Sequence, residues 1–129
     1  MKRLGQDVTI VTYGAMVHRA LEAADDLAEE GISAEVVDLR TISPLDTAAI
    51  LESVSRTGRA LVVYESLRFL GVGAEVAAVI AEEGFPHLDA PVVRLAPPNV
   101  PAPFSPPLQD AFVPQVEDIV EAARKLVRW

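Results

Sequence analysis

A chain of 129 residues suffices for one domain with a real hydrophobic core, without a disulfide or metal staple. Cysteine is absent, which excludes disulfides, thiol catalysis and thiolate metal sites; no apolar run approaches membrane-spanning length, and the start lacks the apolar stretch of a secretory signal. Eleven basic against nineteen acidic residues leave a net charge of −8, a poor surface for nucleic acid. That charge suits a basic protein patch or serves solubility alone.

Residues 1–6 are expected to form a flexible N-terminus and 7–129 a single domain. The first element is VTIVTY, Val8 to Tyr13, apolar or β-branched on both sides of the alternation, as in a strand buried on both faces. Gly14 ends it. A helix follows from Ala15 or Met16 to Glu30, its buried stripe made by Val17, Ala20, Leu21, Ala24, Leu27 and Ala28, with Gly31 as the C′ residue. Val36, Val37 and Leu39 form the core of a second strand. Ser43 then reads as a helix N-cap, with Pro44 at the first helical position and Asp46 at the third. That helix keeps Leu45, Ala48, Ala49, Leu51 and Val54 apolar and stops near Thr57-Gly58.

ALVVY, Ala60 to Tyr64, is almost wholly apolar and belongs at the sheet centre. After a connection from Ser66 to Gly73, a third helix runs from Val72 or Gly73 to Glu83 and closes at Gly84. PVVRL, Pro91 to Leu95, is a fourth strand whose first residue tolerates proline. Six prolines then fall in the eleven positions from Pro97 to Pro107, and no regular element can use that spacing. Phe104, Leu108 and Phe112 recur every four residues there, so the loop over 96–114 is expected to be ordered, with these three as its anchors. A last helix, Gln115 to Val127, buries Val116, Ile119, Val120, Ala123 and Leu126. Strands alternating with helices define an α/β domain, a mostly parallel sheet with helices on both faces.

Chemistry is sparse. His18 and His87 lack a second histidine or a carboxylate at metal-ligand spacing, and His18 reads as a surface residue of the first helix. Gly71-x-Gly73 before a helix hints at anion binding, but close backbone approach explains the same glycines. Arg40 follows the second strand and Glu65 the third, at the carboxyl ends where open α/β sheets dock ligands or partners. They form either an interface or anion contact, or an ion pair between loops. Tyr13 joins that edge only if the first strand runs parallel to the others.

Several of these motifs occur together in one known order: Tyr13-Gly14; Asp38-Leu39-Arg40-Thr41 with Ser43-Pro44-Leu45-Asp46; Glu65; Gly71-x-Gly73-Ala74-Glu75; Pro103-Phe104 and Pro114. From Asp7 to Leu126 the chain resembles the C-terminal domain of the E1 β chain of 2-oxo acid dehydrogenases, the pyruvate, acetoin and branched-chain group of the transketolase superfamily. Tyr64-Glu65 departs from the His-Glu pair of many members. The resemblance implies a three-layer α/β/α sandwich with a five-stranded mixed sheet, where the residues alone give four strands. It places thiamine diphosphate and Mg²⁺ between two other domains, neither of which this sequence contains. The domain itself is then expected to hold no catalytic, cofactor or metal residue and to serve cytoplasmic assembly. Its implied partners are E1 α and β subunits, as a homodimer among other assemblies, and the binding domain of the E2 dihydrolipoyl acyltransferase. Two alternatives stand beside it: a stand-alone domain binding a small anionic regulator, and the C-terminal domain of another transketolase-superfamily enzyme.

Overall fold

The computed structural model describes residues 3–39, 46–65, 72–97 and 113–129. Four strands, β1 (Val8–Thr12), β2 (Ala34–Asp38), β3 (Ala60–Val63) and β4 (Val93–Leu95), alternate with four helices. The helices are α1 (Met16–Glu29), α2 (Thr47–Thr57), α3 (Val72–Glu83) and α4 (Val116–Val127), with a short 3-10 turn over Phe85–His87. The strand order is β2-β1-β3-β4 and every pairing between them is parallel. All five residues of β1 and all four of β3 are buried, which is why both read as continuous apolar runs.

Alternation along each strand sends its side chains to two layers. Val8 and Ile10 of β1, Val36 of β2 and Leu61 and Val63 of β3 meet α1 and α4 on one face. Val11, Val37, Val62 and Tyr64 meet Ile50 and Val54 of α2 and Val76 and Ile80 of α3 on the other. The result is the expected three-layer sandwich.

Helix ends explain where the elements stop. At the end of α1, Gly31 has φ 81°, its N–H donates to the Ala28 carbonyl, and the Ile32 N–H donates to Leu27 O. This pair of bonds is a Schellman closure, which requires the left-handed conformation that glycine adopts without cost. In the buried stripe of α1, Ala23 takes the place expected for Ala28, which is exposed. The packed line runs through residues 16, 20, 23, 24 and 27, and Ala28 lies a further 100° around the helix. For α2 the expected start is corrected. Asp46, expected at the third helical position, is itself the N-cap, and its carboxylate accepts from the Ala49 N–H at 3.1 Å. The sequence carries two successive cap signals, and aspartate is as effective a cap as serine. Ser43 and Pro44 lie outside the described residues.

Residues 3–6 run alongside β2. Arg3 forms an antiparallel bridge with Val36, its carbonyl accepting from the Val36 N–H at 2.9 Å. The Gln6 N–H donates to both the carbonyl and the Oγ of Ser33. Paired backbone groups, rather than sequence position, decide order at a chain end. The bridge is the one antiparallel pairing among the described residues, and it lies on the outer edge of β2, where a fifth strand of a mixed sheet would run.

Candidate functional site

The carboxyl ends of the parallel strands form one edge, and Tyr13, Gly14, Tyr64 and Glu65 share it. The β1–β3 register pairs Thr12 with Val63, so the next positions set Tyr13 beside Tyr64 and Gly14 beside Glu65. The condition on Tyr13 is therefore met, since β1 is parallel to its neighbours. Gly14 has φ 63°, and a β-carbon on it would stand 3.5 Å from Oε1 of Glu65, so the carboxylate leans over the end of β1. Glu65 is exposed and Tyr13 half-buried against the α2/α3 layer. These side chains offer a carboxylate acceptor and a phenol that carries an aromatic surface and an O–H able to donate or accept.

Gly73 belongs to the same edge but faces inward. A β-carbon there would lie 2.0 Å from the ring of Tyr64, which is fully buried. The glycine thus lets the first turn of α3 close on an aromatic ring. Arg40, Gly71, Phe104, Leu108 and Phe112 lie outside the described residues. His18 and His87 are both exposed and far apart in the fold, on α1 and on the 3-10 turn.

The largest departure from the sequence reading is a buried ionic group. Glu35, in β2, is 0% exposed. Its Oε2 accepts from Arg56 of α2 at 2.6 Å, and its Oε1 accepts from the Gly5 N–H at 3.1 Å. Arg56 also donates to Glu52 at 3.1 Å. The hydrogen bond to Glu35 holds the Arg56 guanidinium more firmly protonated than an ordinary arginine. Beside this pair, Thr9 Oγ1 lies 2.8 Å from Ser53 Oγ and 2.7 Å from Thr57 Oγ1, all three residues buried. The signal for Glu35 was available: it shares a face with Val37, and Arg56 lies one helical turn after Glu52, but the register needed to join them is a tertiary fact.

On the opposite layer, Arg124 clasps Glu30 through two bonds of 2.8 Å. The hydrogen bond from Arg124 lowers the Glu30 carboxyl below the usual glutamate range. Arg59 donates to the carbonyls of Leu126 and Asp7, and Arg19 to that of Pro114. Among the described residues, no group of three or more histidine, aspartate and glutamate side chains could hold a metal ion. No helix among them is long and apolar enough to cross a membrane.

A parallel sheet between two helical layers defines a three-layer α/β domain. The chain belongs to the transketolase C-terminal domain family, whose profile matches residues 1–119. It is 51% identical over 126 residues to the beta subunit of acetoin:2,6-dichlorophenolindophenol oxidoreductase from Cupriavidus necator, covering 98% of this chain and 37% of that one. With the beta subunit of the pyruvate dehydrogenase E1 component from Bacillus subtilis it shares 49% identity over 129 residues, covering 100% of this chain and 39% of the subunit. A solved split-gene transketolase, described as an inactive beta4 tetramer, superposes with a TM-score of 0.83 at 36% identity, over 98% of this chain and 40% of that one. The chain spans about two fifths of the length of the curated relatives it matches.

Proposed function

We propose that this chain serves as the non-catalytic assembly domain of the β subunit of a thiamine-diphosphate-dependent 2-oxo acid dehydrogenase. The observation that carries this reading is the match of essentially the whole chain, at 45–51% identity, to beta subunits of acetoin, pyruvate and 2-oxoisovalerate enzymes. In this reading the cofactor and Mg²⁺ belong to the complete enzyme, which decarboxylates a 2-oxo acid oxidatively in the cytoplasm. The domain contacts E1 α and β subunits and the E2 binding domain, and self-association is part of the same role. Tyr13, Glu65 and Arg40 are the contact residues at the carboxyl edge, and Phe104, Leu108 and Phe112 are the anchors of the proline-rich loop. A basic binding domain suits a surface of net charge −8.

The tight seating of Gly73 on the Tyr64 ring accounts for that glycine by close backbone approach, without an anion. Reconstitution tests the main reading. Mixed with a chain carrying the diphosphate- and pyrimidine-binding domains, this domain should co-elute with it and restore turnover of a 2-oxo acid. Titrated alone with thiamine diphosphate and Mg²⁺, it should give no binding heat. One-to-one binding in the micromolar range, or turnover by the chain alone, overturns the proposal.

A further inference from the structure

At the far side of the sheet, β4 pairs with β3, and among the described residues no strand pairs with its outer side. The Leu95 carbonyl accepts from the Tyr64 N–H, so residues 91, 93 and 95 turn their backbone groups toward β3. Val92 and Arg94 turn theirs outward. The missing N–H of Pro91 therefore falls on the inner side and spares the outer edge. A groove lies on each face of this edge. One, of about 740 Å³, separates β4 from the alanines of α3 and is lined by Val92 and Arg94. The other, of about 460 Å³, separates β4 from α4 and is lined by Val93 and Leu95. Trp129 borders both and is 73% exposed, and Phe85 borders the first at 71%. A strand edge between two mainly apolar grooves is what an added strand covers, since its side chains alternate between the two faces.

We infer that two copies of this chain associate through the outer edge of β4, each β4 pairing antiparallel with the other about a two-fold axis. The inference rests on the self-association within the proposed function and gives it a surface. Two observations select a second copy as the occupant. The added strand must be apolar on both faces at alternate positions, and β4 itself has that pattern, with Val92 on one face and Val93 and Leu95 on the other. Charge agrees with the same partner. Asp89 and Arg94 line one groove, and the Asp89 carboxylate makes no ion pair among the described residues. A two-fold axis perpendicular to the sheet keeps each face on its own side and reverses the strand direction. Arg94 of each copy then advances toward Asp89 of the other. Arg94 has contacts within its own chain, but five donors let a guanidinium serve a further acceptor.

Sedimentation equilibrium of this chain should show a reversible dimer in the micromolar range, and the emission of Trp129, the sole tryptophan, should shift to the blue on association. Arg94→Asp and Asp89→Arg should each raise the dissociation constant at least tenfold, with the parent's far-ultraviolet circular dichroism. The double exchange, which returns opposite charges to the two positions, should restore association. Val92→Pro removes an outward N–H at an edge position, should leave a folded monomer, and decides the matter if a charge variant does not fold. A chain that stays monomeric, a dimer that these variants leave unchanged, or a double exchange as weak as the single ones overturns the inference. A monomer that still co-elutes with the chain carrying the diphosphate- and pyrimidine-binding domains overturns this inference alone and leaves the proposed function standing.

Discussion

The two faces of the sheet are built differently. Against α1 and α4 the core is made of aliphatic side chains, and charge is confined to the rim, where Arg124 meets Glu30 and Arg59 and Arg19 bind carbonyls. Against α2 the same sheet presents Thr9 and Glu35, and the helix answers with Ser53, Thr57 and Arg56. An apolar layer tolerates small shifts of register or rotation because its attraction has no direction. A buried polar layer does not, since any displacement strands a donor or an acceptor. The α1/α4 face therefore supplies most of the cohesion, and the α2 face fixes where the strands sit.

Truncation on the cohesive face should have the largest effect. Leu27 of α1 is fully buried against the sheet-side core, and Leu27→Ala should cost about 2–5 kcal/mol, read as a lower midpoint in urea unfolding with an unchanged slope. Gly73→Ala tests the other face by overfilling: the added methyl meets a buried ring, and about 1–3 kcal/mol should be lost with a changed Tyr64 environment in near-ultraviolet circular dichroism. Thr9→Val keeps the shape but removes the partner of the buried Ser53 hydroxyl and one partner of the Thr57 hydroxyl, which still donates to the Arg59 carbonyl. It should cost about 1–3 kcal/mol in the same urea assay, and a neutral result would remove the claim that this layer is held by polar contacts.

The smallest effect is expected at the rim. The folded-state pKa of Glu30 is depressed by Arg124, so its stabilisation is complete above the ordinary glutamate pKa and disappears as pH falls through the lowered folded value. Glu30→Gln should therefore lower stability slightly at neutral pH, with the difference from the parent vanishing as pH falls and the acid limb correspondingly flatter, and added salt should shrink the difference. A loss at neutral pH as large as that of Thr9→Val would mean that the rim contributes to cohesion after all.

What the sequence made legible follows the same division. The strands β1 and β3 and helix α1 were readable because apolar period and glycine punctuation act locally. That Tyr13 and Glu65 share one edge was readable on the condition that β1 runs parallel, since equal strand ends then lie together. Glu35 was not, because an acid within AEVVD suggests a solvent-facing position, and only the register with Thr9 and the placement of α2 turn it inward. Asp46 was misplaced by one helical turn because Ser43 carries an equally good cap signal upstream.

The last helix closes the layer that the first half of the chain begins. Arg19 binds the carbonyl of Pro114 across 95 positions, and Arg124 binds Glu30 across 94. During synthesis at the ribosome, Val8, Ile10 and the inner face of α1 are made early and left without their second cover until residues 116–127 emerge. Loop-closure entropy over such distances slows the final docking, and an uncovered apolar sheet is prone to associate with other chains in the meantime. Folding of this domain is thus timed by its last helix.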